Sequence, residues 1–258
     1  ACGMRRFIAG LLKKVLLANT FALAGDTIYG ADPGVLNVCS AWIGAISYLL
    51  QIYFDFSGYS DMALGMAELF GFQFRENFDY PYVAVSIRDF WRRWHISLSS
   101  WFREYLYIPL GGNRKGKLRT VLNKWIVFFC TGLWHGADLT FVFWGLYHGF
   151  FLMLEEVVPV KMNRILGHVY TLLVVTVGFV FFRADSMMQG MGMLREMFAG
   201  FHFEPECMRL VLSQLTPVWL AALLAGAIAA APVWKRLRER KWIDRASWLL
   251  SLPGLGMC

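Results

Sequence analysis

Between Val35 and Phe56 the chain runs for 22 residues with no charge before Asp55. A helix needs about 20 predominantly apolar residues to cross the hydrocarbon core of a bilayer, and only helices or closed barrels satisfy their backbone polar groups there. This run therefore predicts a transmembrane helix. Further apolar runs cover Val121–Trp134, Leu139–Val158, Ile165–Phe182 and Leu210–Ala231. Composition agrees, with 57% hydrophobic residues and a mean hydropathy of +0.47, where ordinary soluble domains are about 45–50% apolar. Eleven tryptophans suit the membrane interface, where an indole buries its ring and keeps its N–H wet. The predicted fold class is all-α: a polytopic integral membrane protein with broken or re-entrant and interfacial amphipathic helices.

The net charge of +7 is concentrated in Arg5/Arg6, Lys13/Lys14, Arg114–Arg119 and Lys235–Lys241. If Arg114–Arg119 faces the cytoplasm, the chain rises to His135, descends to Lys161 and Arg164, rises to Phe182 and descends to Lys235–Lys241. The last three basic clusters then share one side, as the positive-inside rule requires. Every basic stretch flanks a membrane segment, so the charge points to anionic lipid and not to nucleic acid. The five cysteines (Cys2, Cys39, Cys130, Cys207 and Cys258) form no CxxC and no Cys/His metal spacing, so no metal is expected.

Phe7–Leu23 is apolar but interrupted by Lys13 and Lys14, which predicts a tilted or interfacial helix, or one packed on protein. The segment FDFSGYSDMALGMAELFGF mixes Asp55 and Asp61 with serines and glycines and predicts a broken helix lining a cavity. Asn77–Pro81 is a loop, and Val85–Leu110 is an amphipathic Trp/Arg segment. In GGNRKGKLR the glycines and Lys117 imitate a phosphate-binding loop, but Leu118 stands where a hydroxyl would hold magnesium and no strand precedes it, so no nucleotide site is assigned. GYSDM lacks the second glycine of a nucleophile elbow.

His135 lies between two apolar runs, so an ionisable group is expected at membrane depth, where such groups are rare and functional by default. A helix rising from Val121 to Leu133 gains about 20 Å at 1.5 Å per residue, which places His135 short of the far face. A neutral imidazole there can take a proton from a hydroxyl; the competing role is packing, with a hydrogen bond to a carbonyl. His95, in WRRWHIS, is either a second functional group or one more polar residue on a headgroup-facing helix. His148 is a weaker candidate, and His168 and His202 read as structural. Asp55 and Asp61 can orient a histidine or hold an arginine. Arg92, Arg93 and Arg103 can clamp an anionic donor or acceptor, although phospholipid headgroups call for the same residues.

The segments YFDFSGYSDMALG, RDFWRRWHISLSSWFREYLYIPLGGNRKG, GLWHGADLTFVFWGLYHG and FFRADS occur in this order over Phe7 to about Ser186. Together they resemble the membrane-bound O-acyltransferase family, in its branch of bacterial alginate O-acetyltransferases. The resemblance implies a multipass helical fold in which a funnel and a tunnel meet at an active-site histidine. On GLWHG that histidine is His135, and the second polar position, within WRRWHISLS, is His95. Trp134 joins Asp55, Asp61, Arg92 and Arg93 as candidate substrate contacts. The donor is expected to be acetyl-CoA or another activated acyl group presented from the cytoplasm, with no resident cofactor. The acceptor is expected to be a hydroxyl of an exopolysaccharide, with periplasmic or membrane acetyltransfer proteins completing the transfer. Related teichoic-acid D-alanylation proteins share the fold and use a carrier-protein donor.

Helices that normally precede Phe7 are absent, so residues 1–258 are expected to form one membrane domain, the C-terminal portion of a longer protein of the bacterial inner membrane. The rival reading is a transporter or channel subunit in which His135 and the acidic helix line a proton or solute path. The charge pattern makes a direct test. Cysteines placed at Lys115 and Lys235 should both resist an impermeant maleimide in intact cells, and labelling of either from outside overturns the orientation.

Overall fold

A computed structural model describes residues 2–158 and 162–233; Lys161, Lys235–Lys241 and Cys258 lie outside the described residues. Among the described residues there is no strand. Helices α1 (Cys2–Leu12) and α2 (Asn19–Tyr29) are joined by a π-helical turn, Lys13–Ala18, into one rod. This rod lies against α3 (Val38–Leu69), a 32-residue helix opened by a capping box between Asn37 and Ser40. The rod is long and apolar enough to cross a membrane, as are α3 and α8 (Arg164–Arg183). Helices α6 (Lys117–His135) and α7 (Leu139–Val157) have 19 residues each, about 28 Å, and carry charges towards the start of α6 and the end of α7, where Lys124 pairs with Glu156. Helix α6 therefore begins within the basic cluster, four residues before the apolar run that marks it in the sequence.

The lysines that interrupt the first apolar run are explained by their partners. Lys13 Nζ lies 2.6 Å from Asp61 and Lys14 Nζ 2.7 Å from Asp55, while Arg6 reaches Asp61 at 3.2 Å and also pairs with Glu76. An unpaired charge at membrane depth is costly, and mutual neutralisation lets both helices lie there. The same faces approach closely through glycines. A Cβ added at Gly10 would meet the Gly58 carbonyl at 2.5 Å, and one at Gly65 would meet the Gly3 carbonyl at 2.5 Å. Small residues seven apart on both helices give the tight contact on which helix association in lipid depends.

Helix α3 is consequently unbroken, which corrects the expectation of a broken helix around Asp55–Asp61. Its glycines and serines are contact points and not breaks. The break occurs elsewhere. Leu210–Ala231, expected as one span, divides into α10 (Pro205–Gln214) and α11 (Pro217–Ala229), bent by 59°. Pro217 supplies no N–H and disfavours helix in the residue before it. The Trp/Arg segment is also interrupted, into α4 (Ile87–Arg93) and α5 (Ile96–Phe102) followed by a π-helical turn, Arg103–Tyr107.

The core is aromatic. Phe54, Phe90, Trp94, Trp144 and Phe179 are all buried where α3, α4, α7 and α8 meet. Outward-facing residues are apolar as well, with Leu23, Ile165, Val169 and Leu224 each more than half exposed. Such a surface is a liability in water and the norm against lipid tails. Helix α9 (Met187–Ala199) follows α8 and packs on α3, and Arg183 at the end of α8 pairs with Asp26 of α2 at 2.8 Å. The α1–α3 seam makes a measurable prediction. Gly58→Leu should lower the thermal midpoint in detergent by the equivalent of about 1–3 kcal/mol of overpacking. Gly192→Ala on α9, where an added Cβ meets nothing within 4 Å, should leave it unchanged. Equal midpoints in the two variants would refute the close-packed seam.

Candidate functional site

One stripe of α3 forms the wall of a cavity of about 490 Å³: Tyr48, Gln51, Ile52, Asp55, Phe56 and Tyr59. Their spacing of three and four residues places them on a single helix face. Opposite stand His95 and Trp94 from the α4–α5 junction, Trp134 and His135 from the end of α6, Trp144 from α7, and Phe179 and Phe182 from α8. His95 and His135 thus share one cavity although 40 residues separate them in sequence.

The position of His95 is set by its backbone. It lies between α4 and α5 with φ +44° and ψ +55°, a left-handed conformation that L residues adopt at a cost. Such strain persists only where the surroundings hold it. Asn77 does so: its Oδ1 lies 3.2 Å from His95 Nδ1 and accepts from the Ser97 N–H at 3.2 Å and the Ser97 hydroxyl at 2.9 Å. Its carbonyl accepts from the Ile96 N–H, and its amide donates to Ser60 Oγ at 3.2 Å. An amide oxygen can only accept, so Nδ1 of His95 carries the proton and Nε2 keeps its lone pair. The His95 side chain is buried and shares the cavity wall with His135.

His135 comes from the last residue of α6. Three residues earlier, Gly132 allows α7 to approach so closely that an added Cβ would lie 2.5 Å from the Phe141 carbonyl. This contact sets the His135 ring against Trp144 and Phe182, with centroids 5.1 and 5.0 Å away, while Trp134 lies between the two histidines at 4.9 Å from His135 and 6.0 Å from His95. Among the described residues no group hydrogen-bonds the His135 ring. An imidazole in aromatic walls with unused nitrogens on a cavity can chemically accept or donate a proton there.

The other residues singled out in the sequence are dispersed. Asp55 lines the cavity and pairs with Lys14. Asp61 lies on the α1-facing side of α3, held by Arg6 and Lys13, and is not among the cavity-lining residues. Arg93 pairs with Asp89 at 2.9 Å and binds both the carbonyl and carboxylate of Asp79, fastening the loop that carries Asn77. Arg92 borders a second cavity of about 260 Å³ with Arg88, Arg103 and Lys124 around apolar walls that include Trp91 and Phe128. His148 is fully buried among Trp91, Trp144 and Tyr147, with neither ring nitrogen hydrogen-bonded. His168 bonds the Ala84 carbonyl at 3.1 Å. Asn77 went unnoticed in the sequence because no spacing marks it. The α3 stripe was detectable, since its period is helical over twelve residues.

Residues 3–189 match the membrane-bound O-acyltransferase family. Among similar proteins, the probable alginate O-acetylase AlgI of Pseudomonas putida is 42% identical over 89% of this chain and 47% of its own length. The peptidoglycan O-acetyltransferase of Helicobacter pylori is 42% identical over 76% of this chain and 38% of its own. The teichoic acid D-alanyltransferase of Bacillus subtilis is 35% identical over 39% and 27%. The chain therefore spans less than half the length of these relatives. The family match runs from the α1–α3 seam through both histidines to the start of α9, and on that extent the chain belongs to the membrane-bound O-acyltransferase family.

Proposed function

We propose that this chain carries the catalytic centre of a membrane O-acyltransferase that acetylates hydroxyls of a bacterial cell-surface polysaccharide such as alginate, in the inner membrane. The observation that carries the reading is the shared cavity: His135 and His95 face one space, each with a ring nitrogen unused by the protein. In the proposed step His135 takes the proton of the acceptor hydroxyl as its oxygen attacks the acyl carbonyl. The new ester C–O bond forms, the bond from the carbonyl carbon to the donor's leaving group breaks, and the proton passes to that leaving group. His95, oriented by Asn77, positions the reacting groups through Nε2. The donor is acetyl-CoA or another activated acyl group, and periplasmic or membrane partner proteins complete delivery to the polymer. A relayed transfer through such a partner uses the same base.

Support for the donor's route comes from the second cavity. Its apolar walls and its rim of Arg88, Arg92, Arg103 and Lys124 suit a donor with an anionic head and a thin chain. A transporter reading shares the intramembrane histidine but gives no account of the family match.

Three substitutions in the full-length protein test the scheme, read as the ester content of secreted polymer beside the quantified membrane fraction. His135→Gln keeps size and hydrogen bonding but removes the base, so it should lower transfer by about 10²–10⁴-fold at normal protein level. Near-normal ester content in this variant would remove His135 from the chemistry. Asn77→Ala should cost about tenfold, the worth of one orienting hydrogen bond. Arg92→Lys should impair transfer if the guanidinium grips the donor in a two-pronged fashion, whereas full activity would reduce Arg92 to a headgroup contact.

A further inference from the structure

The turn between α9 and α10 brings together three side chains of different chemistry. His202 Nδ1 lies 3.1 Å from Glu204 Oε2 and 3.8 Å from Cys207 Sγ, and Sγ lies 3.6 Å from the same carboxylate oxygen. Cys207 is a free thiol with only 2% of its surface exposed, so its sulfur faces the other two donors and not solvent. This is the one group of three such ligands found among the described residues. The spacing, H-x-E-x-x-C, matches no common metal motif, which is why the sequence does not suggest it. The fold closes it, because Glu204 is the residue before the first turn of α10 and Cys207 lies within that turn.

We propose that His202, Glu204 and Cys207 bind a zinc ion through Nδ1, a carboxylate oxygen and the thiolate, with a fourth position open to solvent. The distances can be compared with what zinc requires. Bonds of about 2.0–2.1 Å to nitrogen and oxygen and about 2.3 Å to sulfur, at tetrahedral angles, give edges of about 3.3 Å for N···O and about 3.5 Å for S···N and S···O. The observed edges of 3.1, 3.8 and 3.6 Å follow that pattern, with the short edge between the light atoms and the long ones to sulfur. A thiolate in the set selects zinc over calcium or magnesium, which take oxygen ligands.

A second feature supports the assignment independently. The far nitrogen of His202, Nε2, lies 3.0 Å from Glu196 Oε2 on α9. A carboxylate on the nitrogen that does not face the metal is the usual partner of a zinc-bound imidazole, since it fixes ring orientation and strengthens the donor. The turn is also held from behind. Asn37, fully buried at the start of α3, donates to the His202 carbonyl at 3.1 Å, and the Val38 N–H bonds the Gly200 carbonyl at 2.9 Å. Binding converts the Cys207 thiol to thiolate, and its proton is released to solvent. Without zinc the same residues form a local ion-pair cluster that staples α9 to α10, which is the competing role. None of these residues lines the cavity that holds the two histidines.

The purified full-length protein in detergent, freed of loosely held metal by a brief chelator wash and given zinc back, should retain about one zinc per chain. Cobalt in place of zinc should show a thiolate-to-metal charge-transfer band in the near ultraviolet. Cys207→Ser should remove the band, and Glu196→Gln should weaken affinity by about 10–100-fold while leaving the band in place. Glu204 is largely exposed, so Glu204→Gln tests the site without disturbing the core and should also weaken binding. Zinc below about a tenth per chain after reconstitution, or a zinc content and cobalt band unchanged in both Cys207→Ser and Glu204→Gln, overturns the site and leaves the ion-pair staple.

Discussion

Asp61 holds two cations from a neighbouring helix, and the membrane architecture depends on that arrangement. Charged groups cannot stay at bilayer depth unless they neutralise one another. Here Arg6 and Lys13 meet Asp61, and Lys14 meets Asp55, across a seam narrowed by glycines on both sides. The pairing allows α3 to run straight through a stretch rich in polar residues. With α3 straight, its next face is free to present six side chains to a cavity, and every other element of the site is positioned relative to that face.

The second constraint is the joint between α4 and α5. A histidine in a left-handed conformation is an uncommon choice for a turn, where glycine or asparagine is easier. The cost is borne because Asn77 gathers Nδ1 of His95, two donors of Ser97 and Ser60 into one network. Arg93 then ties Asp79 of the same loop back to α4, and Glu155 of α7 accepts from the first backbone N–H groups of α4 at 2.6 and 3.1 Å. A short helix that could not persist alone is thereby fixed at both ends, and His95 inherits the rigidity.

Much of this was legible in the residues. Run length and charge placement announced a helical membrane protein, because hydrocarbon thickness and the absence of water impose simple rules. His135 stood out for the same reason, whereas His95 was marked by the family resemblance. What escaped the sequence was pairing between distant residues. Asp55 and Asp61 looked like breaks in a helix because nothing in FDFSGYSDMALG reveals that Lys13, Lys14 and Arg6 lie opposite. Arg92 and Arg93 looked alike, yet one borders a cavity and the other clamps a loop. Asn77 carries no signal at all, since its importance arises from where the chain returns. The break at Pro217 was not read, because the apolar run on both sides of it has the length of one span.

The length of α3 has its own consequence. At 32 residues it measures about 48 Å, against about 30 Å of hydrocarbon. The excess of about 18 Å must be absorbed by inclination of the rod, by its ends standing in the headgroups, or by deformation of the surrounding lipid. The stripe from Tyr48 to Tyr59 starts ten residues after the helix begins and ends ten before it stops. The cavity therefore lies at mid-depth when the excess is shared equally between the two ends, and nearer one face when it is not. Bilayer thickness then becomes a control on the length of the path from either aqueous phase to the histidines, set by lipid composition and not by any residue of the chain.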